Sequence, residues 1–219
     1  MIVLERKPNK FFEKLNVFAD WFIRVTVINI LIIIFALPII TIIPSIAAGY
    51  KLFSDYLLKD EESIFKTFWK YFKENIVNKI ILSIILIIVL FIGIYNNSLY
   101  GRLTQEQPSI FNTIGYYITF ALIVAVVMIA LYTPLVLSER SELEIWPTLK
   151  LSFYMAGKYI VRTILITLSL LIPYLMLFLH PITVLLFVFC GISIPVLINA
   201  ALTLKGRRFL REEVVKWLK

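Results

Sequence analysis

Four stretches of this chain carry no formal charge: Val25–Tyr50 (26 residues), Ile80–Gly101 (22), Gln107–Ser138 (32) and Thr163–Leu204 (42). They hold more than half of the 219 residues. About 20 apolar residues cross a bilayer as helix, and 18 or more in a row argue for a transmembrane segment. With 60% hydrophobic and 16% charged residues, the composition lies well outside that of soluble domains. The expectation is an all-α polytopic membrane helix bundle, a single domain over residues 1–219. A soluble enzyme, a disordered chain and a secreted disulfide scaffold are excluded. The one cysteine, Cys190, lies in an apolar run and reads as a small buried hydrophobe. A cleaved signal peptide is not expected either. The first apolar run is longer than a signal peptide's and follows 24 charged, amphipathic residues.

The 42-residue run would be about 63 Å long as one helix, twice the hydrocarbon thickness, so it must fold back. Pro181 marks the turn at Leu179-His180-Pro181. In the first run, Pro38 and Pro44 make one uninterrupted helix improbable, and Ser45 is a candidate N-cap for a short helix. The sequence therefore predicts five to six membrane-embedded helices near 12–37, 44–59, 74–100, 109–138, 158–178 and 182–204. Amphipathic elbow helices are expected at 61–73 and 142–157, with a tail over 205–219. Pro134, Pro173 and Pro195 should kink helices four to six and could build a midplane cavity.

Charge bias selects the topology, because cytoplasmic loops are enriched in Lys and Arg. One crossing by residues 25–50 puts the N-tail outside and divides Lys+Arg 16 inside to 6 outside. A crossing that returns through a short second helix gives 21 to 1, with both termini cytoplasmic. The second arrangement is the expected one.

The two elbows share a pattern at an offset of 81, where Ile64/Ile145, Phe65/Trp146, Thr67/Thr148, Phe68/Leu149 and Phe72/Phe153 coincide. Phe65, Phe68, Trp69, Phe72 and Ile76 fall on one helical face flanked by Lys66, Lys70 and Lys73. This suits a helix lying in the interface, with its ammonium groups toward anionic phospholipids. Arg207, Arg208 and Arg211, followed by Trp217, repeat the logic in the tail. Nucleic-acid binding is not expected: the net charge of +8 is spread over all inner loops, as topology requires.

An enzyme is not expected, and neither is a cofactor or a bound metal. There is one histidine, so no two-histidine metal motif exists, and no nucleophile elbow or phosphate-binding glycine loop is present. His180 reads as a turn residue. Ionisable residues at membrane depth are functional candidates by default. Lys51 and Asp55, four apart on one face of the short second helix, are the candidate intramembrane polar site. Asn29, Asn96, Asn97 and Asn199 are expected to make interhelical hydrogen bonds.

Leu37-Pro38-Ile39-Ile40-Thr41-Ile42, then Ala47, Ala48 and Tyr50, then Lys59-Asp60-Glu61-Glu62 and Phe68-Trp69-Lys70-Tyr71-Phe72-Lys73-Glu74-Asn75 follow one another in an order that resembles the YesL-like family of bacterial membrane proteins, the domain of unknown function numbered 624. The chain departs from it at Ile43, where the family usually has glycine, which implies a less tight turn. The resemblance implies a multi-pass protein of the bacterial plasma membrane and carries no catalytic residues. Members are often found beside carbohydrate-uptake systems. It thus implies an accessory to such a system, with a sugar ABC permease as partner. The alternative is an independent small-solute transporter or channel using the proline-broken helices and Lys51/Asp55.

Overall fold

A computed structural model describes residues 10–58 and 63–212, and every regular element among them is helical. The acidic start Asp60-Glu61-Glu62, Lys59, and Val214, Trp217 and Leu218 lie outside the described residues, as do the side chains of Arg208 and Arg211.

Helix α1 (Lys10–Ala36) stops before Pro38, whose ring cannot continue a helix. A single 3-10 turn, Ile39–Thr41, leads into α2 (Ile42–Leu57). Thr41 Oγ1 lies 2.6 Å from the carbonyls of both Phe35 and Pro38, giving the end of α1 a donor for orphaned acceptors. Ser45 is not the N-cap. Thr41 precedes α2, Pro44 sits in its first turn where a missing N–H costs nothing, and Ser45 Oγ donates to the Thr41 carbonyl. The two helices lie side by side and antiparallel. Gly49 backs onto Ile32 and Ile28 near one end, and the Arg24 guanidinium covers the Tyr56 ring at 4.4 Å near the other. Residues 25–57 therefore form a hairpin.

Helix α3 (Ile64–Lys73), the first elbow, turns sharply into α4 (Ile76–Glu106). The turn is made by Asn75, the one non-glycine residue at positive φ (48°) among those described. Asparagine tolerates the left-handed region better than other residues with a Cβ. Helix α4 runs six residues past its expected end, because Arg102-Leu103-Thr104-Gln105-Glu106 contains mostly good helix formers. The expected polar loop shrinks to 107–109, where the Ser109 hydroxyl caps α5 (Ile110–Glu139). Helices α4 and α5 approach closely where Gly115 meets the Tyr100 ring.

The second elbow is α6 (Ile145–Lys158). The helix expected at 158–178 is broken at Leu170 into α7 (Ile160–Ser169) and α8 (Leu171–Phe178), with Pro173 in the first turn of α8. His180 is the turn residue expected: its Nδ1 accepts the Ile182 N–H and caps α9 (Pro181–Leu186). A π-helical turn, Phe187–Gly191, then joins α9 to α10 (Ser193–Glu212) across a 44° bend. Pro195 lies in the first turn of α10, so the break precedes it, whereas Pro134 sits inside α5. The tail expected from residue 205 is helical through Glu212. Gly206 permits this by leaving room for Met155 of α6, and Phe209 and Leu210 are buried.

Helices α1, α4, α5 and α7–α8 are long and apolar enough to cross a membrane, and the bent unit α9–α10 makes a fifth such span. At 16 residues α2 is about 24 Å long, short of the roughly 30 Å of hydrocarbon. Its role is the return arm of the hairpin. The chain is an all-α membrane bundle.

Candidate functional site

The end of the bundle where α2, α5 and α10 finish holds four largely covered charges. Lys51 and Asp55, one helical turn apart on α2, lie 3.4 Å from each other, and each side chain is 15% exposed. Glu139, the last residue of α5, and Arg207 of α10 join them with side chains 2% and 5% exposed. Arg207 Nε donates to Glu139 Oε1. Lys51 Nζ lies 3.9 Å from the same oxygen, and Arg207 Nη2 lies 3.6 Å from Asp55 Oδ1. From α3, the Tyr71 hydroxyl donates to Asp55 Oδ2 at 3.0 Å, and its ring faces Lys51.

Two cations and two anions balance, so no net charge is buried. The hydrogen bonding is less complete: Arg207 Nη1 and Nη2 find no acceptor in the protein at hydrogen-bond distance. Desolvation of such a cluster is only partly offset, and buried ion pairs are weak evidence for stability. The cluster ties α2, α3, α5 and α10 together at this point. Close by, Tyr50 and Thr203 share a 2.6 Å hydrogen bond that ties α2 to α10 again.

Lys51 and Asp55 lie on one face of α2, as their spacing indicated, and Glu139, Arg207 and Tyr71 pack over that face. Glu139 escaped the sequence reading, although it is the acidic residue that ends the longest uninterrupted uncharged helix. Arg207 is a correction. Grouped with Arg208 and Arg211 as a headgroup contact, it is instead 4% exposed, because α10 continues and turns it inward onto Glu139. Lys79 is a third inward cation, its ammonium 2.6 Å from the Tyr71 carbonyl.

The first elbow is also corrected in part. Phe65, Trp69, Lys70 and Lys73 are exposed, as an interfacial helix requires. Phe68 is 1% exposed and Phe72 is buried, because Phe35 at the end of α1 packs against both, with ring centroids 5.5 and 4.9 Å apart. Thr67 and Thr148, equivalent at the offset of 81, are both buried, so the correspondence of the elbows extends to their inner faces. The turn that follows the first elbow is bonded to the loop that precedes the second. Asn75 Nδ2 donates to the Ser141 carbonyl and Ser141 Oγ donates to Glu74, each at 2.6 Å.

Asn29, Asn97 and Asn199 make the interhelical bonds expected of them, whereas Asn96 bonds within its own helix to the Ile92 carbonyl. Pro134, Pro173 and Pro195 do line one cavity, of about 380 Å³ and almost wholly apolar. Among the described residues no three His, Cys, Asp or Glu side chains gather as metal ligands.

The hairpin, the first elbow and most of α4 are the part of the chain with recognisable relatives. Residues 25–97 match the family described as Protein of unknown function, DUF624. The match spans one third of the chain and includes the residues on which the resemblance rests, Leu37–Ile42, Ala47, Ala48, Tyr50, Lys59–Glu62 and Phe68–Asn75. Asp55 and Lys51 fall inside the DUF624 region, whereas their partners Glu139 and Arg207 fall outside it. Nothing among the curated proteins or the solved structures matches the chain.

Proposed function

We propose that this protein is a non-enzymatic accessory of a carbohydrate import system of the ABC type in the bacterial plasma membrane, with both termini cytoplasmic. The partner class follows from what the family resemblance implies, and the mode of action follows from the geometry. One observation carries the latter. The turn after the first elbow is bonded to the loop before the second, and the two elbows present Phe65, Trp69, Trp146, Lys70, Lys73 and Lys150 outward. Exposed aromatic and basic side chains fit both an anionic headgroup layer and the cytoplasmic surface of another membrane protein.

The alternative, an independent carrier of polar solutes through Lys51 and Asp55, has less support. Both residues are engaged with Glu139, Arg207 and Tyr71, and the apolar cavity of about 380 Å³ is lined by side chains that offer a sugar little hydrogen bonding.

Crosslinking from a photoreactive residue at position 146, followed by affinity purification, tests the reading. Recovery of a sugar permease subunit, lost when Phe65 and Trp69 are changed to serine, is the expected result. Solute flux by the purified protein alone in liposomes, abolished by Lys51→Met with Asp55→Leu, would favour the alternative.

A further inference from the structure

Two cations where α6 meets α7 have no anion. Lys158 ends α6 and Arg162 stands in the first turn of α7, on either side of Tyr159. The exposed Lys158 ammonium lies 3.2 Å from the centroid of the Phe209 ring, with the Tyr154 and Tyr159 rings at 5.7 and 5.9 Å. The Arg162 guanidinium carbon lies 4.8 Å from the centroid of the same Tyr159 ring. Aromatic faces hold both cations in place without neutralising them. Among the described residues neither side chain has an ion-pair or hydrogen-bond partner, whereas Arg24, Arg140 and Arg207 each pair with a carboxylate.

Arg162 is half-buried. Its Nη1 is shut away from solvent, but Nε and Nη2 keep open surface. Those two nitrogens form one edge of the guanidinium, and such an edge takes two oxygens of a phosphate side by side. The surroundings select which phosphate. Tyr159 immediately precedes the apolar span Ile160–Phe178, so the pair sits at the level where the phosphates of a leaflet lie. From there Val161, Leu165 and Leu168 follow at helical spacing, all exposed, a strip of α7 open to acyl chains. A ligand with an anionic head and a long apolar body matches both parts, and a free phosphate matches only the first. A zwitterionic headgroup brings a further ammonium to a place where two cations already lack a partner.

We infer that Lys158 and Arg162 form a headgroup site for an anionic glycerophospholipid, its phosphate held by the Nε–Nη2 edge of Arg162 and the Lys158 ammonium, and its acyl chain lying along Val161, Leu165 and Leu168. The site is separate from the outward faces of the elbows, because α10 supplies one of its rings, Phe209, and α7 its guanidinium.

The test uses the full chain in phosphatidylcholine nanodiscs with a trace of phosphatidylglycerol that carries a diazirine in its acyl chain, and mass spectrometry maps the label. Saturable labelling is expected at Val161 and Leu165, displaced by unlabelled phosphatidylglycerol and unaffected by inorganic phosphate. The same diazirine chain on phosphatidylcholine should label there about tenfold less. Lys158→Gln and Arg162→Gln should each lower the phosphatidylglycerol labelling about tenfold, the worth of one charge-assisted hydrogen bond. Lys70→Gln, which removes an equal charge from the first elbow, should leave it unchanged. Lys158 is exposed, and the comparison of probes uses the wild type, so the test stands even if Arg162→Gln fails to fold. Equal labelling by the two probes, or an equal loss in Lys70→Gln, would reduce the pair to general surface charge and overturn the inference. Displacement by inorganic phosphate would overturn it too, by assigning the site to the free anion.

Discussion

Glu139 and Arg207 form the innermost ion pair of the bundle although 68 positions separate them in the chain. Their pairing closes α5 onto α10, and the same glutamate oxygen faces Lys51 of α2. A cluster built this way responds differently to the loss of one charge and of two. Arg207→Leu leaves two anions facing one cation and should destabilise the protein by about 3–5 kcal/mol. Adding Glu139→Leu restores neutrality, because Lys51 and Asp55 then balance, and should recover most of the loss. Thermal unfolding in detergent, followed by tryptophan fluorescence across this double-mutant cycle, measures the coupling.

Asn29 staples the π-helical turn. Its Nδ2 donates to the carbonyls of Phe187 and Val188, and its Oδ1 accepts from the amides of Ile192 and Ser193, all within 2.7–2.9 Å. These are backbone groups that the break between α9 and α10 leaves without regular helical partners. Asn29→Leu should cost about 2 kcal/mol, four bonds at roughly 0.6 kcal/mol each. Hydrogen exchange should accelerate at 187–193 and remain unchanged in α4.

At Asn75 the backbone conformation and the side chain make separable contributions. Asn75→Gly keeps the left-handed turn and loses the bond to Ser141, a cost of about 1 kcal/mol. Asn75→Val loses the bond and adds about 1–2 kcal/mol of backbone strain. The order of midpoints, wild type above glycine above valine, is readable by thermal unfolding.

The regular parts of this fold were legible because a bilayer makes hydrophobic length a direct signal. Charge-free runs located α1, α4 and α5, and prolines located the hairpin turn and the α8–α9 turn. Boundaries failed where local signals were weak. Gly101 and Gly206 read as helix ends, but each sits inside a helix, Gly206 because Met155 of a distant helix needs the space. The π-helical turn has no local signature, since the residue that stabilises it is 158 positions away. Half of the charge cluster was visible for the same reason in reverse: Lys51 and Asp55 are one helical turn apart, a spacing that sequence reveals. Glu139 and Arg207 meet them only through tertiary packing. Phe68 looked interfacial because its partner Phe35 lies in another helix.

A cytoplasmic position for both termini requires that residues 25–57 be a hairpin that enters and leaves the membrane by one face. Cysteine accessibility in intact cells tests this directly, using Lys14→Cys and, separately, Gln107→Cys in a Cys190→Ser background. Gln107→Cys, in the short turn between α4 and α5, should react with a membrane-impermeant maleimide, and Lys14→Cys should react only after permeabilisation. Labelling of Lys14→Cys from outside intact cells would place the start of α1 on the wrong side and contradict the account.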